Sequence, residues 1–320
     1  MTELVWITCP DNYDPVVQER LRRAGSERVD LLRSRGFDLT VVHANEIVPA
    51  WNDGPRLWQG ETDLLSKGRG FILSSWTWDA GAGRHLQAIA RTIRASDSVL
   101  LNDGIKDPEA LGNDKLAMYH HAGTLGIPVL PSVSIPFGRY ARRALATVSA
   151  RLDGADGYLV KPREMAMGYG VLKADTFEQL TAAIDLLTPG ALGCIVQPFR
   201  PNSGDVRVYV HNGTFVAALL REPAEGSYLA NVSEGGTGSA LPGEVPAEVS
   251  GMSERLARSL DAPYLCVDWL LSPAGPVLNE WMTISAAYED LPEPQRSRVE
   301  DALIACIGDR LKDAGEPAAS

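Results

Sequence analysis

The sequence is poor in cysteine and histidine, and this scarcity limits the kinds of site it can form. Its 320 residues include four cysteines and five histidines. The cysteines are widely dispersed, with no C-x-x-C spacing, at positions 9, 194, 266 and 306. Neither a zinc site nor a disulfide framework is therefore expected, and free thiols in a reducing cytoplasm fit the pattern best.

An excess of positive charge and long apolar runs are also missing. The formal net charge of -11 argues against nucleic acid or an anionic membrane as the main partner, since both attract concentrated lysine and arginine. The N-terminus has no basic region ahead of an apolar run, and no other stretch is long enough to span a bilayer. We therefore expect a soluble cytoplasmic protein. The pattern G-x-x-x-x-G-K-[ST] is absent too, which excludes a P-loop as the nucleotide site.

The chain does contain enough apolar sequence for a large core, arranged at first in α/β order. Its hydrophobic fraction of 45% and its length predict two or three domains. Apolar strands alternate with helical patterns at 4–8, 15–35, 37–44, 71–76, 84–95 and 97–103. This alternation predicts a parallel sheet with helices on its faces. Gly81 and Gly83 form an incomplete dinucleotide fingerprint, for which starting a helix is the simpler interpretation.

The rest of the chain predicts α+β modules. A helix N-capped by Asn113 precedes a strand, a glycine loop, a second strand and a helix, and antiparallel strands follow from Gly193 onward. The predicted units are an N-terminal α/β domain at 1–112, a central α+β module at 113–190, a C-terminal α+β module at 191–312 and a disordered tail at 313–320.

The most informative local feature is a hairpin with one carboxylate on each strand. In the turn SPAG, Pro273 favours a type I turn and Gly275 can take the left-handed conformation, which predicts a three-residue loop. This loop pairs Ser272 with Pro276 and makes Asp268 and Glu280 direct cross-strand neighbours.

Opposed carboxylates repel unless a cation or a shared proton lies between them. Oxygen ligands without a nearby histidine suit Mg²⁺ or Mn²⁺, and Mg²⁺ commonly completes its shell with nucleotide phosphates and water. The hairpin therefore suggests a metal–nucleotide site. The alternative is that Asp268 and Glu280 sit at a solvated end of the hairpin.

Basic residues near glycines supply further candidates. Lys161 ends an apolar strand and precedes Gly168 and Gly170, whose backbone can approach phosphates closely. Arg207 and Arg221 lie on the two arms of another hairpin, where guanidinium groups could stabilise phosphoryl or acyl-phosphate oxygens. Each signal alone is common in proteins.

In combination, the order of these parts resembles the ATP-grasp superfamily. From about Asp97 to Ala287 the chain is most similar to the branch of glutathione synthetase and ribosomal-protein-S6 glutamate ligase, through DKL, strand-Lys-Pro, VQPF, GDVRVYV and the Asp/Glu hairpin. The resemblance implies an ATP-grasp fold that clamps ATP between two α+β modules. It also implies an ADP-forming carboxylate–amine ligase that works through an acyl-phosphate.

The resemblance also implies roles for individual residues. ATP contacts are expected from Lys115, Lys161, Met167, Gly168, Tyr169, Gly170, Gln197, Phe199 and Asp205, with 165–170 as a lid and Gln197 and Phe199 at the adenine hinge. Catalytic roles are expected for Arg207, Arg221 and Asn231, and Mg²⁺ (or Mn²⁺) ligation for Asp268 and Glu280. Substrate contacts are expected from Trp76, Asp79, Ser233, Gly235 and Gly236.

Two positions depart from the resembled pattern. Met282 stands where an asparagine ligand is usual, and Leu229 stands where an arginine is usual. A thioether is a poor ligand for a hard cation. By strand alternation Asn279 should face away from Glu280, which leaves Thr283 or water to complete the metal shell.

Three functional hypotheses follow from this resemblance. The leading one is a ligase for amino acids or short peptides in a small-molecule pathway. The alternatives are a ligase that modifies a peptide or protein, and an ATP-binding protein without turnover. The resembled branch often forms dimers or tetramers, which implies a homo-oligomer.

Overall fold

Alternating strands and helices build a parallel sheet at the start of the chain. The computed structural model describes residues 3–8, 15–66, 68–73, 80–102, 114–165, 168–188, 193–231, 235–241, 244–283 and 288–315. The first part comprises β1 (Glu3–Thr8), α1 (Pro15–Ser34), β2 (Asp38–His43), β3 (Ile47–Trp51), β4 (Pro55–Gln59), β5 (Thr62–Asp63), β6 (Gly70–Leu73), α2 (Ala80–Arg94) and β7 (Val99–Leu100). Its main sheet has the order β2-β1-β6-β7 with all pairs parallel, as predicted.

A small antiparallel sheet of β3, β4 and β5 was not predicted. Pro49 and Pro55 lie within its strands, and proline weakens the sequence signal for a strand because it cannot donate to the ladder. Gly81 and Gly83 lie in the first turn and a half of α2, so the interpretation of these glycines as a helix start is confirmed.

The central part folds into an antiparallel sheet with helices, the first of which packs in the apolar core of the last part of the chain. Its elements are α3 (Lys115–Thr124), β8 (Val133–Ile135), α4 (Ala141–Arg151), β9 (Tyr158–Pro162), β10 (Leu172–Ala174), α5 (Phe177–Leu187) and β11 (Cys194–Pro198). The strand order is β10-β9-β11-β8. Although β11 follows the predicted boundary at residue 190, it pairs with β9 and β8 and so completes the central sheet.

The N-cap of α3 differs from the expected residue. The N-cap is Asp114, which has an extended backbone and whose carboxylate accepts a hydrogen bond from the Leu116 amide at 3.0 Å. The same carboxylate pairs with Arg163, which fixes Asp114 beside the start of the helix. Asn113 lies outside the described residues.

The last part is a five-stranded antiparallel sheet with helices on both faces. Its elements are β12 (Asp205–His211), β13 (Thr214–Glu222), β14 (Thr237–Ala240), α6 (Ala247–Leu260), β15 (Tyr264–Ser272), β16 (Gly275–Met282) and α7 (Gln295–Gly315), with the strand order β14-β13-β12-β15-β16. Against α6 the sheet buries Trp269 and Trp281, and the Trp269 indole donates to Ser253 Oγ at 2.9 Å.

The opposite face of this sheet joins the C-terminal and N-terminal parts. Tyr209 and Cys266 form one buried cluster with residues of α7 and with Leu4 and Leu101 of the parallel sheet region. Helix α7 was not predicted, and it runs through Gly315, so the first three residues of the predicted disordered tail are helical. Residues 316–320 lie outside the described ones.

Within the described segments, no helix combines the length and the apolar character needed to cross a bilayer.

The glycine immediately before β12 allows β12 and β13 to approach each other closely. Gly204 has φ of +136°, and a Cβ atom there would lie 2.3 Å from the carbonyl oxygen of Arg221. We expect Gly204→Ala to lower the free energy of unfolding by about 3 kcal/mol, because strain and a backbone clash add together. Gly226→Ala is the matched control, since Gly226 has φ of +79° and a Cβ atom there would meet no heavy atom within 4 Å, and it should cost about 1 kcal/mol. Urea unfolding measures both, and equal losses would contradict the clash.

Candidate functional site

A cleft lies between the central sheet and the five-stranded sheet. Its lining comes from both sheets, with Leu159 and Lys161 of β9 on one side and Leu270 of β15 and Glu280 of β16 on the other. The cleft brings together eight residues singled out in the sequence, namely Lys115, Lys161, Gly168, Tyr169, Phe199, Asp205, Asn231 and Glu280. These residues are separated by up to 165 positions in the chain, so only the fold assembles them.

Two lysines enter the cleft from different elements. Lys161 is in β9, where it is only 5% exposed, and Lys115 is the first residue of α3 and 6% exposed. Burial, followed by the positive charge of Lys115, lowers the pKa of Lys161 to about 8. A cleft in which ammonium groups are buried beside each other favours a polyanionic ligand.

The Asp268–Glu280 pairing is present, but it arises from a different register near the turn. Ser272 pairs with Gly275, so the turn has two residues, Pro273 and Ala274, where three were expected. A bulge at Asn279 then restores the pairing of Asp268 with Glu280.

Burial of Leu278 favours this register of β16. With the bulge, Leu278 pairs with Trp269 and is 1% exposed within the core against α6. With the predicted loop, Asn279 would take that core position and Leu278 would face the cleft. Burying the leucine instead of the amide favours the bulge by about 2 kcal/mol or more.

The bulge corrects the expected direction of Asn279. Its side chain lines the cleft beside Glu280, because two successive residues of a bulge oppose a single partner residue. Asn279 Oδ1 accepts a hydrogen bond from Lys161 Nζ at 2.9 Å. The Asn279 carbonyl accepts from the Tyr119 hydroxyl of α3, also at 2.9 Å, which anchors the bulged backbone.

The two opposed carboxylates have different surroundings. Glu280 lines the cleft, and its Oε2 lies 3.3 Å from Lys115 Nζ. Asp268 is fully buried, and both of its oxygens accept hydrogen bonds from guanidinium groups. Among the described residues, no group of three or more His, Cys, Asp or Glu side chains is placed to hold a metal ion. Asp268 as a metal ligand stays a prediction.

Four buried charged residues form a network below the cleft. Arg207 binds Asp268 through two hydrogen bonds of 2.8 Å. Arg221 binds Asp205 at 2.5 and 2.7 Å and also reaches Asp268 at 2.7 Å. Burial by itself raises the pKa of Asp268, but the charges of Arg207 and Arg221 outweigh it and lower that pKa to about 2.

This network changes the expected position of the two arginines. Arg207 and Arg221 are 6% and 4% exposed and are not among the residues that line the cleft, whereas Asp205 is. Direct contact of these arginines with a reacting group stays a prediction.

The predicted adenine hinge is only partly at the surface of the cleft. Phe199 lines the cleft, with Tyr228 at an edge-on ring distance of 6.3 Å and Lys173 Nζ 4.5 Å from the Phe199 ring. Gln197 is buried behind it and donates to Ser132 Oγ at 2.8 Å. In the part of the chain that the structure describes, Gln197 Oε1 has no hydrogen-bond partner, so one acceptor is available there.

Of the remaining expected contacts, three do not line the cleft and four lie outside the described residues. Gly170, Gly235 and Gly236 are described but do not line it. Trp76, Asp79, Met167 and Ser233 lie outside the described residues.

The structure describes the surroundings of Leu229 and Met282, the two residues that depart from the resembled pattern. Leu229 lines the cleft where an arginine was expected. Met282 pairs with Cys266 and packs, partly buried, against the cluster that joins the sheet to α7. Thr283 is buried and does not line the cleft.

Several cleft residues had no clear signal in the sequence. Tyr228, Asn202 and Asn279 line the cleft, although strand alternation, glycine loops and charge did not single them out as site residues. The Tyr228 hydroxyl donates a hydrogen bond to the Val171 carbonyl at 3.1 Å and so links the segment after β13 to the residue before β10, a contact that local patterns do not encode.

A known domain family matches the part of the chain that supplies most of the lining of this cleft. The RimK-like ATP-grasp domain family matches residues 155–285. A probable alpha-L-glutamate ligase of Trichodesmium erythraeum (strain IMS101) is 28% identical over 129 residues, which are 40% of this chain and 42% of the relative. A relative of the same name from Chromohalobacter salexigens is 25% identical over 195 residues, covering 60% and 62%. The chain thus spans about half the length of the curated relatives it matches.

Solved structures share the fold over almost the whole chain. D-alanyl-alanine synthetase A of Vibrio cholerae has a TM-score of 0.69 at 15% identity, covering 97% of this chain and 98% of the other. The D-cycloserine synthetase DcsG has a TM-score of 0.67 at 16% identity, and the ATP-grasp ligase PsnB with a minimal precursor has 0.64 at 17%, both covering 95% of this chain and 99% of the other. The chain therefore has the fold of these ATP-grasp ligases, and its residues 155–285 match the RimK-like ATP-grasp domain family.

Proposed function

We propose that this protein is an ATP- and Mg²⁺-dependent ligase that joins a carboxylate to an amine through an acyl-phosphate. The observation that carries the proposal is the meeting of Lys115, Lys161 and Glu280 in one cleft between two sheets. Two ammonium groups match the phosphates of ATP, and a carboxylate beside them suits the accompanying cation. The RimK-like domain supports the same conclusion.

The residues of the cleft would bind and orient the reactants. Lys115 and Lys161 would neutralise phosphate charge while a substrate carboxylate oxygen bonds to the γ-phosphorus and ADP leaves. The incoming amine would then form the C–N bond and lose a proton, and inorganic phosphate would leave. This pathway requires no nucleophilic side chain. Asn231 at the cleft would lie on the acceptor side.

The donor groups in the cleft fit a hard divalent cation. Glu280 Oε2 already faces an ammonium group, and carboxylate oxygen is a preferred ligand of Mg²⁺ and Mn²⁺. Glu280 would hold the cation next to the nucleotide phosphates, where the bound cation would neutralise charge that develops during phosphoryl transfer. Asp268 is the second proposed carboxylate, although Arg207 and Arg221 occupy both of its oxygens.

An amino acid or short peptide is the proposed substrate class. The relatives named probable alpha-L-glutamate ligase, and the neighbours named D-alanyl-alanine synthetase and D-cycloserine synthetase, support small substrates. The neighbour PsnB is complexed with a precursor peptide, which supports a peptide acceptor as the second candidate.

A screen of amino acids and small carboxylates for ATP-dependent phosphate release tests this proposal. We expect at least one carboxylate–amine pair to release ADP and phosphate together with a product whose mass equals the sum of both substrates less one water. A mass increase on a polypeptide would instead favour the peptide acceptor. Tight ATP binding without substrate-dependent phosphate release would contradict the ligase function.

Substitutions in the cleft test the roles of its charged groups. Lys161→Ala and Glu280→Gln should each lower ligation by about 100-fold or more, because transition-state charge loses a pre-positioned partner. Lys312→Ala is a matched control, since Lys312 lies on α7 with its side chain 80% exposed, and it should leave turnover unchanged. Circular dichroism checks that the fold is intact. Unaltered turnover in Lys161→Ala or Glu280→Gln would place the chemistry elsewhere.

A charge-balanced pair of substitutions separates structure from catalysis in the buried network. Asp268→Leu alone should reduce the free energy of unfolding by about 3–5 kcal/mol, because it leaves a guanidinium group buried without its carboxylate. The double variant Arg207→Met with Asp268→Leu should regain most of that stability and still fail to ligate. Chemical denaturation and phosphate release measure the two effects. A stable double variant with full turnover would show that the network is only structural.

A further inference from the structure

The bulge in β16 places an amide oxygen beside the cleft carboxylate. Asn279 and Glu280 are consecutive, and regular alternation would send their side chains to opposite faces of the sheet. Because Asn279 is the extra residue of the bulge, both side chains line the cleft. Amide and carboxylate oxygens are both ligands that hard divalent cations prefer.

Each of these oxygens already faces a positive charge. Lys161 Nζ lies 2.9 Å from Asn279 Oδ1, and Lys115 Nζ lies 3.3 Å from Glu280 Oε2. Because each ammonium group is held close to one of these oxygens, the two oxygens are placed where they stabilise positive charge. A polyphosphate in the cleft would attract both ammonium groups and free the two oxygens for another cation.

Other oxygen donors near the hairpin are less suited to this task. Met282 has no oxygen in its side chain and packs, partly buried, against the core, and Thr283 is buried away from the cleft. Both oxygens of Asp268 accept hydrogen bonds from Arg207 and Arg221. Asn279 is therefore the neutral oxygen donor that lies directly beside Glu280.

We propose that Asn279 and Glu280 together hold the divalent cation that accompanies the ATP phosphates. The anchored backbone suits this role, because the hydrogen bond from Tyr119 fixes the Asn279 carbonyl and leaves its side chain free to exchange partners. This inference rests on the nucleotide binding in the proposed function but not on ligation.

The test measures metal binding directly and does not depend on turnover. Mn²⁺ is titrated into the 320-residue protein in the presence of saturating ADP, and free Mn²⁺ is followed by electron paramagnetic resonance. ADP binding is measured separately by calorimetry in EDTA. Asn279→Ala should weaken Mn²⁺ binding by roughly tenfold and leave the metal-free ADP affinity within twofold of the wild type. Asn279→Asp should bind Mn²⁺ at least as tightly as the wild type.

Two control variants address the competing donors. Thr283→Val and Met282→Leu should leave Mn²⁺ affinity unchanged, whereas Glu280→Gln should weaken it. Unchanged Mn²⁺ affinity in Asn279→Ala would overturn the inference, as would a loss in Thr283→Val of the size expected for Asn279→Ala. If Asn279→Ala lost the same ADP affinity with Mn²⁺ as in EDTA, the role of Asn279 would be to position Lys161. That result would also overturn the inference.

The wild-type titration distinguishes the two proposals. If the wild type binds Mn²⁺ and ADP but Asn279→Ala behaves like it, only the assignment of Asn279 fails. If the wild type binds neither nucleotide nor metal, the proposed function fails together with the inference.

Discussion

Charge balance among four buried side chains constrains the whole C-terminal sheet. Asp205 and Arg207 lie two residues apart on β12 and face Arg221 on β13 and Asp268 on β15. Removing such groups from water is costly unless every carboxylate meets a guanidinium group in good geometry. A shift of one residue between these strands would separate the pairs and turn the charges toward the apolar core against α6. The network thus fixes the register of the strands that form the floor of the cleft.

Much of the fold could be predicted because it follows local rules. The strand of Lys161, the arginine hairpin and the strands of Asp268 and Glu280 are apolar runs bounded by turn residues, and these patterns are readable from the sequence. The bulge at Asn279 could not be predicted in this way. The bulge forms because Leu278, and not the adjacent Asn279, is buried in the core against α6. This burial is a consequence of tertiary packing, which local patterns do not show.

The candidate site shows the same division between local and long-range causes. Lys115, Lys161 and Glu280 meet in the cleft as the resemblance to ATP-grasp proteins implies. The resemblance gave no indication that Arg207 and Arg221 would be covered, because burial and ion pairing arise from strand neighbours distant in sequence. Helix α7 was missed although its apolar residues recur at helical spacing, and only the fold shows the cluster it completes with two other parts of the chain.

The distribution of apolar cores determines which part of the protein can move with the smallest exposure of buried side chains to water. One cluster joins the parallel sheet, the five-stranded sheet and α7, so rotation between these parts would expose buried side chains to water. The cluster beneath the central sheet, from Ile135 to Val196, contains only residues of the central part among those described. Motion of the central sheet away from the cleft would therefore leave these apolar clusters intact, whereas α3 would stay with the C-terminal part, because its Met118 and Ala122 belong to the core against α6.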